Sequence, residues 1–148
     1  MTGARIPIVL LCCCAFAPAA LAQTVWFQED FDDNSAGWSL DTEWQIGPAV
    51  ASPPAGACGN GDPGFDADGP GGSEGVAGVV IGGGAGTTIH PSYYLTSPPV
   101  NTSGAPQLFL DFDRWLNSDY TPYMSNSVEV WDGVAWQIVW QSGGAPAM

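Results

Sequence analysis

The acidic residues of one glycine-rich segment are the clearest candidates for chemistry in this chain. Asp62, Asp66 and Asp68 lie close together there, with Asn60 and Glu74 nearby. Calcium takes about six to eight oxygen ligands from carboxylates and carbonyls on a flexible backbone, and this segment could supply them. The spacing does not fit an EF-hand loop. The sequence therefore predicts calcium ligation by Asp62, Asp66 and Asp68, with a solvated acidic loop as the alternative.

A second acidic group lies nearer the N-terminus. It comprises Glu29, Asp30, Asp32 and Asp33, and it precedes a predicted turn at residues 34–37. Carboxylates at a strand end can face a calcium ion, and they can equally keep a strand edge soluble. Both interpretations stay open on the residues alone.

The segment of residues 115–126 combines aromatic rings with amides and hydroxyls. An aromatic ring offers sugars and peptides a flat apolar surface with a polar rim. The sequence predicts a ligand site here, or else a packed loop whose aromatic side chains cap the end of the fold. The candidate ligand-binding residues are Trp115, Asn117, Asp119, Tyr120 and Tyr123.

No set of residues has the spacing and context of a catalytic site. Residues 71–75 match the G-x-S-x-G pattern of serine hydrolases, but both flanks are loop-like and the sole histidine, His90, lacks an acidic partner in hydrolase order. Residues 59–64 match a dinucleotide-binding pattern, although the prolines and glycines that follow cannot open a helix. A lone histidine cannot form a zinc site. The sequence predicts a protein that is not an enzyme.

The N-terminal residues, Met1–Ala22, have the three parts of a cleavable signal peptide. Arg5 supplies the positive charge, Ile6–Ala17 the apolar run, and residues 20–22 the small side chains at the cleavage positions. The apolar run is shorter than the roughly 20 residues that span a bilayer. We expect a secreted or cell-surface protein without membrane insertion after cleavage. A retained anchor and a lipid anchor at cysteines 12–14 are the alternatives.

Cleavage would change the charge and the thiol content of the chain. One arginine, Arg114, would remain against fifteen acidic residues, a formal charge of −14, and the chain has no lysine. We expect no nucleic-acid partner, because phosphate binding needs clustered Lys and Arg. Arg114 itself is expected to pair with a carboxylate or to clamp a ligand. Cys58 would be the one remaining cysteine, so no intramolecular disulfide is expected.

Twenty glycines and thirteen prolines interrupt every candidate helix, and short runs of β-branched and aromatic residues predict strands instead. In the last run, Trp136, Ile138 and Trp140 recur at the period of a half-buried strand. Asp132-Gly133 before it predicts a tight hairpin turn. The predicted strands are Thr24–Gln28, Trp44–Ile46, Val76–Ile81, Tyr93–Thr96, Gln107–Trp115, Ser127–Trp131 and Ala135–Gln141.

These strands predict one all-β domain, an antiparallel β-sandwich, over residues 23–148. Residues 48–75 contrast with the rest, because they are too rich in Gly, Pro and Asp for a strand of any length. We expect a long surface loop there, of the kind that is functional or disordered.

Several motifs resemble the MAM-like, cleaved-adhesin (choice-of-anchor type) modules of secreted bacterial proteins. They are FQEDFDDNSAGW, YYLTSPPV, LFLDFDRWLN and the VEVW-turn-AWQIVWQS hairpin, and the resemblance covers roughly Trp26–Gln141. The resemblance implies a concanavalin-like jelly roll that is non-catalytic and accompanies secreted proteases, adhesins and surface-anchored proteins. It also implies calcium ligation by Glu29 and Asp30. The last strands of the family have no counterpart after Gln141, so an incomplete domain is expected.

Together these features predict a secreted, non-catalytic binding or adhesion module that calcium stabilises and that recognises extracellular carbohydrate or protein. Two alternatives stay open. One is the accessory domain of a secreted peptidase whose catalytic part lies outside this chain. The other is a structural cell-surface protein without a small ligand.

Overall fold

A computed structural model describes residues 24–54, 60–118 and 123–144 of the chain. The predicted signal peptide, Met1–Ala22, and Cys58 lie outside these residues. Within them the backbone forms strands, turns and irregular segments but no helix. Glycine and proline disfavour helices because one is too flexible and the other lacks an N–H donor. The all-β class predicted from the sequence is confirmed.

Six strands lie in the described residues: β1 (Ser39–Leu40), β2 (Trp44–Pro48), β3 (Gly75–Val79), β4 (Leu95–Thr96), β5 (Ser127–Trp131) and β6 (Trp136–Gln141). They form three separate antiparallel sheets of two strands each. β1 pairs with β4, β2 with β3, and β5 with β6.

Five of the seven predicted strands are confirmed as β2 to β6: Ser127–Trp131 matches β5 at both ends, and the other four have ends within two residues of the prediction. Two are wrong: Thr24–Gln28 and Gln107–Trp115 form no strand. A strand is stabilised by the hydrogen-bond ladder to a neighbour, and an alternating pattern alone does not supply that neighbour. The two-residue strand β1 was not predicted, because two residues are too few to show a pattern.

The predicted surface loop connects β2 and β3. Register pairs run from Trp44 opposite Val79 to Pro48 opposite Gly75, so the loop begins and ends at adjacent positions of one antiparallel pair. The Ala49 N–H donates to the Glu74 carbonyl at 2.7 Å just beyond the ladder. The described residues of the loop contain turns and irregular backbone, as predicted.

The hairpin of β5 and β6 has five register pairs, as many as the pair of β2 and β3. Its register runs from Ser127 opposite Gln141 to Trp131 opposite Trp136, with a shift between Val128 and Glu129. Four residues connect the strands, and Gly133 among them has a φ of 99°, which a glycine adopts without steric cost. The hairpin predicted from the Asp-Gly turn and the flanking alternation is confirmed.

No apolar side chain of the described residues is fully buried. A sandwich buries the inner faces of two packed sheets, and the three two-stranded sheets do not show that layering. The antiparallel all-β class is therefore the confirmed part, and the jelly-roll sandwich stays a prediction. The described residues also contain no apolar helix long enough to cross a membrane.

Candidate functional site

Glu29, a predicted calcium ligand, accepts hydrogen bonds inside a compact loop around Trp38. Its Oε1 accepts the Phe31 N–H at 3.0 Å, and its Oε2 accepts the indole N–H of Trp38 at 2.8 Å. The ring centroids of Phe27 and Phe31 lie 6.1 and 5.2 Å from that of Trp38. Both oxygens of Glu29 thus stabilise the loop.

Residues 29–33 and 73–75 lie against each other, and we call this contact the acidic junction. The Ser73 hydroxyl donates to the Asp32 carboxylate across it. Gly75 is buried so closely against the neighbouring backbone of the first segment that an added methyl group would overlap it. The fold therefore brings the first acidic group into contact with the end of the long loop, on either side of Glu74.

The carboxylates of the long loop bind groups of the loop itself. Asp62 accepts the Ser52 hydroxyl at 2.9 Å, and Asp66 accepts the N–H of Asp68 at 2.9 Å. Glu74 accepts the N–H of Asp66 at 3.3 Å. These bonds fix the path of a segment that has no ladder of its own.

Calcium ligation by the predicted residues stays a prediction. Oxygen-rich, anionic groups at the acidic junction suit the chemistry of calcium. Within residues 24–54, 60–118 and 123–144, however, no three acidic, histidine or cysteine side chains converge on one point. The fold brings two acidic segments into contact without assembling one calcium cage from the predicted set, which is Glu29, Asp30, Asp62, Asp66 and Asp68.

The predicted ligand residues lie between the 107–115 segment and β5. Trp115 is 58 % exposed and Tyr123 is 70 % exposed, so both rings reach solvent. Asp119 and Tyr120 lie outside the described residues. The exposure of the two described rings does not match the alternative of a loop packed over the end of the fold.

Polar contacts connect this segment to two neighbours. The Asn117 amide donates to the carbonyl of Asn60 in the long loop, while its buried Oδ1 has no hydrogen-bond partner among the described residues. The Asn126 amide donates to the Ser118 hydroxyl at 2.9 Å. Asn126 and Ser142 then close the base of the hairpin, with the Ser142 N–H donating to the Asn126 carbonyl at 2.8 Å.

Arg114 lies over an aromatic ring. Its guanidinium carbon is 3.8 Å from the ring centroid of Trp140 in β6. A guanidinium over an indole face is attracted by the ring quadrupole, with about 0.5–1 kcal/mol at an exposed site. The sequence predicted a carboxylate or a ligand for Arg114, and this cation–π contact was missed.

Four residues on one face of the hairpin form a surface that we call the tryptophan face: Glu129, Trp131, Trp136 and Ile138. Trp131 lies opposite Trp136 and Glu129 lies opposite Ile138, and alternate residues of a strand share a face. The two indole rings meet edge to face, with centroids 5.7 Å apart. Trp131 and Trp136 are 51 % and 54 % exposed.

Sequence reasoning missed the tryptophan face as a site, because it interpreted the alternation in β6 as the mark of a half-buried strand. The sequence did contain a signal for this surface, because Trp131 and Trp136 directly flank the turn. A four-residue connection places such residues opposite each other, and their rings then form a pair at the end of the hairpin.

Asp132 holds the turn beside this face. Its Oδ1 accepts the N–H groups of Ala135 and Val134, both at 2.8 Å, and its Oδ2 accepts the Gln137 amide at 2.9 Å. These bonds hold the pKa of Asp132 below its ordinary value, and the bond from Ala135 has the largest effect. The carboxylate is therefore ionised at neutral pH.

Comparison with known proteins adds no relative. No family model matches the chain, and no curated protein or solved structure shows significant similarity to it.

Proposed function

We propose that this chain is an exported, non-catalytic binding module that recognises extracellular carbohydrate or protein through exposed aromatic side chains. The observation that carries the proposal is the exposure of four rings in the C-terminal part of the chain. Trp115, Tyr123, Trp131 and Trp136 each keep more than half of their surface in solvent. A contiguous exposed apolar patch is typical of an interaction site, and Trp131 and Trp136 are in direct contact.

Hydrogen-bonding groups accompany these rings, as a sugar or peptide ligand requires. The hairpin adds the side chains of Glu129 and Gln137 on its two faces. A ligand that stacks on a ring can therefore also find polar partners on the same part of the chain.

The jelly-roll sandwich is the architecture that we propose for this module. The antiparallel pairs β2–β3 and β5–β6 are compatible with it, and in a sandwich each would turn one face to the other sheet and one to solvent. Scanning calorimetry of the chain tests it. A cooperative unfolding transition with a positive heat-capacity change would support a packed sandwich core, whereas the absence of such a transition would reject the sandwich.

Export is tested by sequencing the N-terminus of protein recovered from the medium of a secreting host. We expect cleavage after Ala22, because small residues at 20 and 22 fit the cleavage site. Ala22→Leu should block processing, since its side chain is too large for that position. Leu21→Phe changes the neighbouring, unconstrained position and should be processed normally. Normal processing of Ala22→Leu would reject the predicted site.

Glycan and peptide arrays probed with the full chain test the binding function. We expect binding on at least one array, weakened about fivefold to tenfold by Trp115→Ala or Tyr123→Ala, because ring contacts contribute about 1 kcal/mol. Val134→Ala, at an exposed apolar residue of the hairpin turn, is the control and should bind like the parent chain. Silence on both arrays would contradict the proposal.

A further inference from the structure

We infer that the tryptophan face binds an extended, arginine-bearing peptide segment of a partner protein, an inference that rests on the proposed binding function. The tryptophan face is a second surface of the module, separate in sequence from Trp115 and Tyr123, and its partner is cationic.

The geometry supplies two adjacent indole rings with a carboxylate on the same face. Trp131 and Trp136 form the edge-to-face pair, and Glu129 lies two residues from Trp131 along β5, opposite Ile138. Both rings are about half exposed, so a ligand side chain can lie over them. The face thus combines a flat apolar surface with a negative charge, which is the combination that a guanidinium group needs.

The same hairpin already holds one guanidinium group over an indole ring. Arg114 stacks over Trp140, in the strand that also carries Trp136. Arg114 is the one arginine or lysine of the described chain, and the other arginine, Arg5, lies in the predicted signal peptide. A cation for Trp131 and Trp136 must therefore come from a partner.

Charge complementarity identifies the partner as basic. The hairpin, from Ser127 to Gln141, contains Glu129 and Asp132 and no Lys or Arg. A second copy of the chain would bring fifteen acidic residues and two basic ones, so self-association at this face is opposed by like charge. An acidic peptide is opposed for the same reason. A cationic segment gains both ring stacking and charge attraction.

The strand pairing favours an extended segment. Among the described residues, β5 and β6 pair only with each other, so each has an outer edge of backbone N–H and C=O groups. An extended peptide can add to such an edge, and every second side chain of it then lies on the tryptophan face. Arginines at alternate positions would reach Trp131 from the β5 edge or Trp136 from the β6 edge.

The test is calorimetric titration of the full chain with a decapeptide of alternating arginine and threonine. A matched decapeptide carries citrulline, which keeps the planar group and loses the charge, in place of arginine. We expect the citrulline peptide to bind about tenfold more weakly or worse, since it loses the cation–π attraction to both rings. Equal binding of the two peptides would overturn the inference.

Variants of the chain locate the site. Trp131→Ala and Trp136→Ala should each weaken binding of the arginine peptide about tenfold, while Trp131→Phe and Trp136→Phe should retain part of it. Glu129→Gln should weaken it about threefold and reduce its dependence on salt. Val134→Ala is the control at an exposed apolar position next to the face.

Three outcomes separate this inference from the proposed function. If Trp115→Ala abolishes peptide binding while Trp131→Ala and Trp136→Ala do not, the module binds peptide elsewhere and the inference fails alone. If Trp131→Ala abolishes a glycan-array signal and the arginine peptide does not bind, the face is a sugar site and the inference again fails alone. If Trp131→Ala or Trp136→Ala unfolds the chain while its Phe variant does not restore peptide binding, the face is internal and the inference fails.

Discussion

Trp38 and Trp44, in the N-terminal part of the described chain, donate their indole N–H groups to protein acceptors, whereas Trp131 and Trp136 in the β5–β6 hairpin present half of their surface to solvent. Trp38 donates to Glu29 at 2.8 Å and Trp44 to the Tyr93 carbonyl at 3.0 Å. The second of these bonds joins residues 49 positions apart. The hairpin tryptophans contact each other across neighbouring strands.

This difference between the two pairs of tryptophans indicates that the N-terminal pair stabilises the fold, whereas the hairpin pair is available to contact a ligand. A half-buried tryptophan with its N–H satisfied stabilises the chain segments that it joins. An exposed pair on a hairpin contributes less to stability, because its rings stay largely hydrated in the folded chain. The N-terminal region is therefore where substitutions should affect folding, and the hairpin is where they should affect binding.

Gly75→Ala is expected to have the largest effect on stability. An added methyl group at this buried position would overlap the backbone of residues 30–32, so the acidic junction must separate. We expect a loss of about 3 kcal/mol, at the upper end for overpacking, measured by urea unfolding with far-UV circular dichroism. Gly72→Ala is the control, since no atom lies within 4 Å of its added methyl group. Equal effects of the two would show that the junction is not a structural contact.

A comparison of Trp38→Ala with Trp136→Ala tests directly which tryptophan stabilises the fold. Trp38→Ala removes the contacts with Phe27 and Phe31 and leaves Glu29 with an unused oxygen, so we expect a loss of about 2 kcal/mol in the free energy of unfolding. Trp136→Ala removes one exposed ring pair and should cost about 1 kcal/mol or less. The same urea series measures both. A larger loss for Trp136→Ala would reverse the assignment of roles.

The hairpin could be predicted from the sequence because its determinants are local. An Asp-Gly turn between two alternating runs fixes both strands within a short stretch of chain. Gln107–Trp115 has an equally apolar run, yet it forms no strand among the described residues. Whether a run is a strand depends on a neighbour that arrives from elsewhere in the chain, and the run itself does not encode that neighbour.

The candidate sites could likewise be predicted only where their determinants are local in the sequence. The exposed rings of Trp115 and Tyr123 follow from a polar, proline-containing context that could be seen in the sequence. The role of Glu29 as an acceptor for Trp38 could not, because it depends on how the intervening loop folds back. The exposure of the tryptophan face was missed because alternation reports which residues share a face, and not whether another layer covers that face.

Calcium binding by the acidic segments is a further prediction for the N-terminal region. If the acidic junction and the long loop bind calcium, as the sequence predicts, a concentration about ten times the Kd should stabilise the chain by about 1.4 kcal/mol. Thermal melting in calcium, in magnesium and in sodium chloride of equal ionic strength measures this. Asp62→Asn and Asp66→Asn should lose the gain, while Asp111→Asn, outside both acidic groups, should keep it. Identical midpoints in calcium and in sodium chloride would reject calcium binding.

Acid should loosen the hairpin turn, and this is the smallest effect that we expect. Hydrogen bonds from Ala135, Val134 and Gln137 lower the pKa of Asp132, so the folded turn favours the ionised carboxylate. A group with a lowered folded pKa contributes stability at neutral pH and loses it as the pH falls through that pKa, below about pH 4. Circular dichroism from the coupled rings of Trp131 and Trp136 should therefore weaken reversibly in that range. Asp132→Asn keeps one acceptor oxygen without the titration, so its signal should be flat with pH. A titration that persists in Asp132→Asn would mean that another carboxylate controls the geometry of the tryptophan face.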